Sequence, residues 1–528
     1  MRLARLFDRR DPRNGGARLT HVAVAAIAIA LTAAAARADT LEQVRARGVL
    51  VWGADAQGGA PFEYPDPEDP ARLIGFEVEL ADALAAQLGV SARMQQGAWD
   101  KLLELLARGD FDVALSGIEA TPDKQSVCLL SQPYYVSPER LTVRRGDANA
   151  PRTLAALRGR RAGTLPGSAA ERILRAAGAE VATYEGGQDD VYRDLRLGRT
   201  DAVLLDETIT AYFGAVDPAL EVLPESFGVV RYAIAIRRGD ADLQGAVDTA
   251  LGALARSGQL RAIYERWGIW NAETAALLGD DDPVPRGPAL AWDAWRAQVG
   301  FQPPFWVRAT TQYPKFTRIF AAAAGLTVVV SALAMALAVA LGALLAGARA
   351  FAPRPLAALA VGYVELFRGT PLLVQLIVIY FGLPELGVTL SPFVAGVLAL
   401  GLNYAATESE NYRAGLASVP ASQLDAARVL GLARAQALRF VVLPQAVRIS
   451  LPPMTNDFIA LLKDSSLISV VTLTELTKTY SMLANATHDH LGLGAVVAAW
   501  YLVVGLPFVF LARRLERRLG EGHRGVAR

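Results

Sequence analysis

The chain has 528 residues, of which 52% are hydrophobic and 20% charged, with a net charge of +1 and one cysteine. That length exceeds a single core, and the balance is too apolar for a wholly soluble chain and too charged for a wholly buried one. Near-zero net charge gives no basis for a nucleic-acid or acidic-polymer partner, and the lone Cys128 excludes an intramolecular disulfide.

In chain order, six arginines (Arg2, Arg5, Arg9, Arg10, Arg13, Arg18) precede an apolar run over 22–36 and the small-residue site Ala36-Arg37-Ala38. Residues 1–38 therefore read as a signal peptide or N-terminal anchor that exports the segment beginning at Asp39. From 39 to 270, strand-like runs at 49–52, 112–115 and 202–205 alternate with amphipathic stretches at 77–88, 99–108 and 243–255, the pattern of an α/β fold. Two strand-like crossings, at 140–144 and 231–236, divide the region into lobe I (39–143 and 232–270) and lobe II (144–231).

The ordered motifs Pro61-Phe62-Glu63, Gly75 to Ala81, Trp99 with Leu102, Gly109 to Asp112, Gly117 to Lys124, Gly163 to Ser168 and Asp201 to Asp206 resemble those of amino-acid-binding periplasmic proteins, which are bilobed (type II) α/β modules. A cleft for a zwitterion needs a cation for the carboxylate, an acid for the ammonium and an apolar wall for the side chain. The resemblance implies Asp206 for the ammonium, Ser168 at a helix start for the carboxylate, Trp99 for the wall and the Gly117 backbone along the cleft, with Asp55 and Thr121 also on it. It departs from the family at three places, one of them Gly58-Gly59, near a position that is often aromatic. Lys124 stands where an arginine usually grips the carboxylate, and a point charge cannot make the paired hydrogen bonds of a guanidinium. Glu119 stands where relatives often have threonine or serine. Two acids, Glu119 and Asp206, predict a solute with more than one amino or amide group. Each residue also has a plain structural role open to it: Asp206 as a helix cap, Lys124 as a solvated turn residue, Trp99 as core.

Residues 271–314, with Asp280-Asp281-Asp282, several prolines and Trp292, Trp295, Phe301 and Trp306, read as a linker near the membrane surface, or else as a segment whose tryptophans sit on the binding module. Apolar spans lie near 319–348, 356–383, 392–412, 447–471 and 493–511, the second interrupted at Gly369-Thr370-Pro371. About 20 residues cross a bilayer, so about five helices make an all-α membrane module over 315–515, with a basic tail at 516–528. Arg349, Arg354, Arg413, Arg428, Arg434, Arg439 and Arg448 fall on one predicted side, which makes that side and the C-terminus cytoplasmic.

Between the third and fourth spans lies DAARVLGLARAQALRFVVLP. Asp425, Ala426 and Ala427, then Gly431, then Leu443 and Pro444 have the spacing of the coupling loop (420–444) of ABC-importer permeases, and flanking motifs from Glu365 to Leu372 and from Leu462 to Leu467 resemble the polar amino-acid permeases. A short helix, a left-handed glycine and a second helix stopped by Pro444 would form the knob that docks on an ATPase. For Glu410 with Arg413 and Lys463 with Asp464, an ion pair and a place on the membrane pathway both stay open; Glu408 has no obvious partner and is the better pathway candidate.

The resemblance implies a solute-binding protein fused to its permease in a bacterial inner membrane. It would import a polar amino acid, glutamine-like or cationic, as a homodimer with two copies of a separate ATPase that binds ATP-Mg. No phosphate-binding G-x-x-x-x-G-K-[ST] occurs, so the chain is not the ATPase; it is expected to bind no cofactor, and His488-Asp489-His490 lacks further ligands for a metal site. Two rivals come from other classes. A ligand-gated channel also carries a bilobed module above membrane helices, and a dehydratase-like enzyme would use Glu119 and Lys124 as an acid-base pair. Neither explains the coupling loop.

Overall fold

The computed structural model describes residues 40–184, 187–299 and 303–524. The export segment at 1–38 lies outside the described residues. The described chain forms two compact units: 40–319 together with Thr479–Val496, and Phe320–Lys478 together with 497–524.

In the first unit, lobe I carries a five-stranded sheet in the order Ser91–Gln96, Val49–Ala54, Val113–Ala114, Ala235–Ile236, Leu129–Leu130, with the first three parallel. The run VLVWGA is almost wholly buried, as expected for a parallel strand covered on both faces. Lobe II has five strands in the order Leu220–Tyr232, Tyr135–Arg144, Ala202–Asp206, Arg161–Thr164, Glu180–Thr183. The long strands Tyr135–Arg144 and Leu220–Tyr232 run antiparallel along most of their length. Because Tyr135 is already paired in the lobe II sheet, the chain leaves lobe I before that residue, ahead of the lobe boundary at 143 read from the sequence.

The segment read as a linker is structured where it is described. Its helix Ala272–Leu278 is capped by Asn271 and pinned to strand Tyr135–Arg144, since Thr274 Oγ1 accepts from Val136 N at 3.1 Å and donates to Val136 O at 3.0 Å. Trp292 and Trp295, on helix Leu290–Val299, each pack 4.6 Å from the Tyr212 ring. Of the two placements open for these tryptophans, the binding module takes both; Trp306 is 71% exposed.

In the second unit, helices occupy all five apolar spans. Tyr313–Phe351, shared between the units, and His490–Arg514 are long and apolar enough to cross a bilayer, and a third crossing is made if the bent pair Arg354–Gly369 and Leu372–Leu386 counts as one. Pro392–Ala417 and Leu443–Asp464 have the length but carry polar residues. The bent pair turns by 106° at the predicted interruption. A break in hydrocarbon needs partners for the carbonyls it frees. Gln375 Nε2 donates to Phe367 O at 2.9 Å and to Thr370 O at 3.1 Å, and Asn403 Nδ2 donates to Phe367 O at 3.2 Å and Gln375 Oε1 at 3.0 Å.

The coupling loop folds around its own small core of Val419, Leu424, Ala427, Ala437, Val442 and Ala446. Helix Ala421–Val429 ends, and Gly431 takes φ 76°, the left-handed turn the sequence predicts. Pro444 corrects the sequence reading. It does not stop a helix but sits in the first turn of Leu443–Asp464, where its missing N–H breaks no helical bond, and a wide turn at Leu438–Val442 leads into it.

Under the cleft floor, Glu63 and Glu77 form a buried carboxyl pair. Ser116 Oγ donates to Glu63 at 2.6 Å, and Gly117 N at 2.9 Å and the Tyr134 hydroxyl both donate to Glu77. Burial, the largest cause, pushes Glu77 up to about 7 and Glu63 well above the carboxylate range. Acids with raised folded-state pKa values favour folding at low pH, and that contribution is lost as pH rises through the folded values. The melting temperature of the full-length protein should therefore fall between about pH 5 and pH 8. Glu77→Gln, which keeps an acceptor for both donors, should flatten the slope; an unchanged slope would show that the pair does not titrate.

Candidate functional site

The cleft is built where the end of a lobe I strand faces the start of a lobe II helix. Residues 116–121 leave strand Val113–Ala114 and pair with the returning strand through an isolated bridge between Glu119 and Tyr232. Opposite, Ser168 caps helix Ala169–Ala176 by accepting from Glu171 N at 3.1 Å.

Between them Glu119, only 5% exposed, accepts the Ala169 backbone N–H with both carboxylate oxygens, at 3.0 and 2.8 Å. Lys124 Nζ and an Arg172 guanidinium nitrogen each lie 3.8 Å from Glu119 Oε2. Lys124 also sits over Trp99, 5.0 Å from the ring centroid, while Trp99 Nε1 donates to Ser116 O at 2.8 Å. The ammonium of Lys124 is enclosed with no hydrogen-bond partner among the described residues, and its pKa is lowered, chiefly by burial. Thr121 caps the turn that carries it, accepting from Lys124 N at 3.4 Å. A cavity of about 400 Å³ opens beside these groups, lined by Thr121 and Lys124 from lobe I and Ser168, Glu171 and Arg172 from lobe II.

Five sequence-predicted residues, Trp99, Glu119, Thr121, Lys124 and Ser168, thus share one interlobe site. Asp206 reaches it through Tyr232, whose hydroxyl donates to Asp206, while Asp206 Oδ1 accepts from Ile209 N at 2.8 Å as a helix cap. Burial, the largest cause, pushes its carboxyl up to about 6, while those two donors pull it down. Asp55 and Gly117 serve local structure here. Asp55 accepts from Gln57 N, Gln96 Nε2 and Trp99 N at 3.0, 2.7 and 3.1 Å, and the Gly117 N–H goes to Glu77. Arg172, one turn beyond the Ser168 cap, is missed by sequence reasoning; its signal is a cation on the helix face that Ser168 and Glu171 share.

His488 and His490, on the segment Thr479–Val496, both turn to Asp189 of lobe II, at 3.1 and 2.8 Å. Asn485 Nδ2 of the same segment donates to Gln57 O of lobe I at 2.7 Å.

In the membrane unit, Glu410 pairs with Arg413 as the spacing allows, and also with Arg349 at 2.5 Å. Glu408 is fully buried, and among the described residues its oxygens make no hydrogen bond of good geometry, although the Asn411 and Tyr412 side chains lie beside them. Lys463 does not pair with Asp464: it is exposed, and Asp464 accepts the Tyr404 hydroxyl at 2.7 Å. On the coupling knob Asp425 and Ala426 face solvent and Ala427 is core; Val429 and Leu430 are 88% and 80% exposed, and Leu443 and Pro444 are exposed at the knob's exit.

Two families match this chain. Bacterial extracellular solute-binding proteins, family 3, match residues 50–269, and the binding-protein-dependent transport system inner membrane component matches residues 338–521. Among curated relatives, the probable glutamine ABC transporter permease protein GlnM of Bacillus subtilis (strain 168) is 36% identical over 197 residues, 37% of this chain and 91% of GlnM. The L-cystine-binding protein TcyJ of Escherichia coli (strain K12) is 32% identical over 230 residues, 43% of this chain and 85% of TcyJ. The glutamine transport system permease protein GlnP of the same organism is 35% identical over 198 residues, 37% of this chain and 90% of GlnP. The chain belongs to the amino-acid ABC transporter family, as a solute-binding protein and its permease fused in one polypeptide. It is a transport subunit of the inner membrane with an extracytoplasmic binding domain, in a family that works with an ABC ATPase.

Gly117 has φ 56°, and a Cβ there would lie 2.9 Å from the Phe62 ring. Gly117→Ala should cost about 2 kcal/mol of binding-module stability, from left-handed strain and overlap together, read as a lower melting temperature of the full-length protein.

Proposed function

We propose that the interlobe site captures a polar amino acid and that the fused permease imports it, working as a dimer with two copies of a separate ATPase. The observation that carries this reading is the convergence on one cleft of an aromatic wall, an ammonium without a hydrogen bond among the described residues and a buried acid: Trp99, Lys124 and Asp206. In this reading Lys124 and the start of helix Ala169–Ala176 take the solute's carboxylate and Asp206 its ammonium. The two acids no longer argue equally for a cationic solute, because Glu119 already faces Lys124, Arg172 and an N–H. A glutamine-like side chain is therefore favoured over a cationic one.

The proposed orientation, with the C-terminus cytoplasmic, is supported by the segment Thr479–Val496, which packs in the same unit as the extracytoplasmic module. An odd number of crossings before the tail then puts the knob and the tail on the opposite side. Glu408 is proposed to face the pathway, since a buried carboxyl with no hydrogen bond of good geometry among the described residues is costly unless something meets it.

Thermal unfolding of the full-length protein against the twenty amino acids tests the capture reading. A ligand at a hundred times its dissociation constant should add about 2.7 kcal/mol of stability, and no shift with any of them would refute it. For the ligand found, affinity should drop about tenfold by pH 5, because protonating Asp206 below its value of about 6 removes the ammonium's partner. Flat affinity across that range would take Asp206 out of the role.

For the knob, Leu430→Asp leaves the core intact and charges the exposed tip. With the cognate ATPase co-purified, solute-stimulated ATP hydrolysis should fall at least about tenfold while solute binding is unchanged. Unaltered stimulation would place the docking surface elsewhere.

A further inference from the structure

We infer that Glu119 is a built-in competitor for the solute's carboxylate, a specificity-determining latch that closes the two lobes on themselves until an amino acid displaces it. The inference rests on the reading that this cleft takes an amino acid, and it adds what that solute must overcome.

The geometry is that of a bound carboxylate. Both Glu119 oxygens sit on the first backbone N–H of helix Ala169–Ala176, at 3.0 and 2.8 Å. That end of a helix carries positive partial charge. Two cations flank the carboxylate, Lys124 from its own lobe and Arg172 from the other, each at 3.8 Å. An N–H at a helix start with nearby cations is what a free α-carboxylate would seek in this cleft. The contact joins the lobes, because Glu119 lies just beyond a lobe I strand and Ala169 opens a lobe II helix. The cavity shares Lys124 and Arg172 with it, so a carboxylate entering there meets the same charges that Glu119 holds. Lys124 Nζ is enclosed and lacks a hydrogen-bond partner among the described residues, so a carboxylate that displaces Glu119 gains a donor that Glu119, at 3.8 Å, leaves unused.

The latch has two consequences. The ligand-free lobes are held together by Glu119, and the competent state, with Glu119 withdrawn, is a fraction of the population. Apparent affinity is reduced by that fraction. Carboxylate-bearing solutes meet this competition, whereas amines without a carboxylate do not contest the Ala169 N–H.

The test uses the full-length protein in nanodiscs, wild type against Glu119→Gln and Glu119→Thr. Binding of the twenty amino acids and of 4-aminobutanamide, which is glutamine without its carboxylate, is measured by thermal shift and titration. Lobe separation without ligand is read from spin labels on the exposed positions Gln87→Cys and Leu197→Cys, since Cys128 is buried. The expected result is at least about tenfold tighter binding of the cognate amino acid in both variants, no gain for 4-aminobutanamide, and a wider lobe distance without ligand. Equal or weaker amino-acid binding in both variants, with lobe distance unchanged, overturns the inference and leaves the amino-acid reading standing. Failure of wild type and variants alike to bind any of the twenty, with native melting transitions, overturns both.

Discussion

The cleft depends on one contact, the Glu119 carboxylate of lobe I seated on the Ala169 N–H of lobe II. A buried carboxylate is tolerable only where donors and cations replace water, and here an amide N–H, Lys124 and Arg172 do so. Lys124 in turn has been drawn out of solvent, and its ammonium is held by the Trp99 face and the charge of Glu119. Trp99 is fixed at its other end by Ser116, whose hydroxyl leads to the Glu63 and Glu77 pair. The site is therefore a chain of desolvated polar groups in which each placement is conditioned by the next.

Much of this is legible in the sequence because it comes from periodicity and from residue types with few alternatives. The apolar run at 49–52 reads as a strand, and Gly431 as a left-handed turn after an alanine-rich helix. The interruption at 369–371 is legible for the same reason, proline and glycine being poor company for a continuous helix. The repair of that break is not legible. Gln375 and Asn403 are unremarkable polar residues until the bend puts Phe367 O and Thr370 O within their reach.

The corrections and the readings that stayed open share a cause, which is that local sequence does not say where a side chain finds its partner. Lys463 next to Asp464 looks like a pair, yet successive residues on a helix point in different directions and Asp464 meets Tyr404 instead. Pro444 looks like a stop, but its place in the first turn makes it a start. The tryptophans at 292 and 295 satisfy a membrane-surface pattern equally well; Tyr212 decides between the readings by offering them an aromatic face 4.6 Å away. In the cleft, the residue types are legible and the roles are not. By type Glu119 is an acid for a solute's amine, but its neighbours are cations and an amide N–H.

Fusion gives these contacts a consequence that separate subunits would lack. A short tether raises the effective concentration of binding module at its permease to about millimolar, so weak docking contacts suffice. The segment Thr479–Val496 touches both lobes, with Asn485 on Gln57 of lobe I and His488 and His490 on Asp189 of lobe II. A segment held to both lobes at once binds one lobe arrangement better than any other, and by reciprocity it favours that arrangement in return. Lobe closure and contact with the permease segment are then linked equilibria, and Glu119, which sets the closed arrangement from inside the cleft, acts on the same equilibrium that Asp189 reads from outside it.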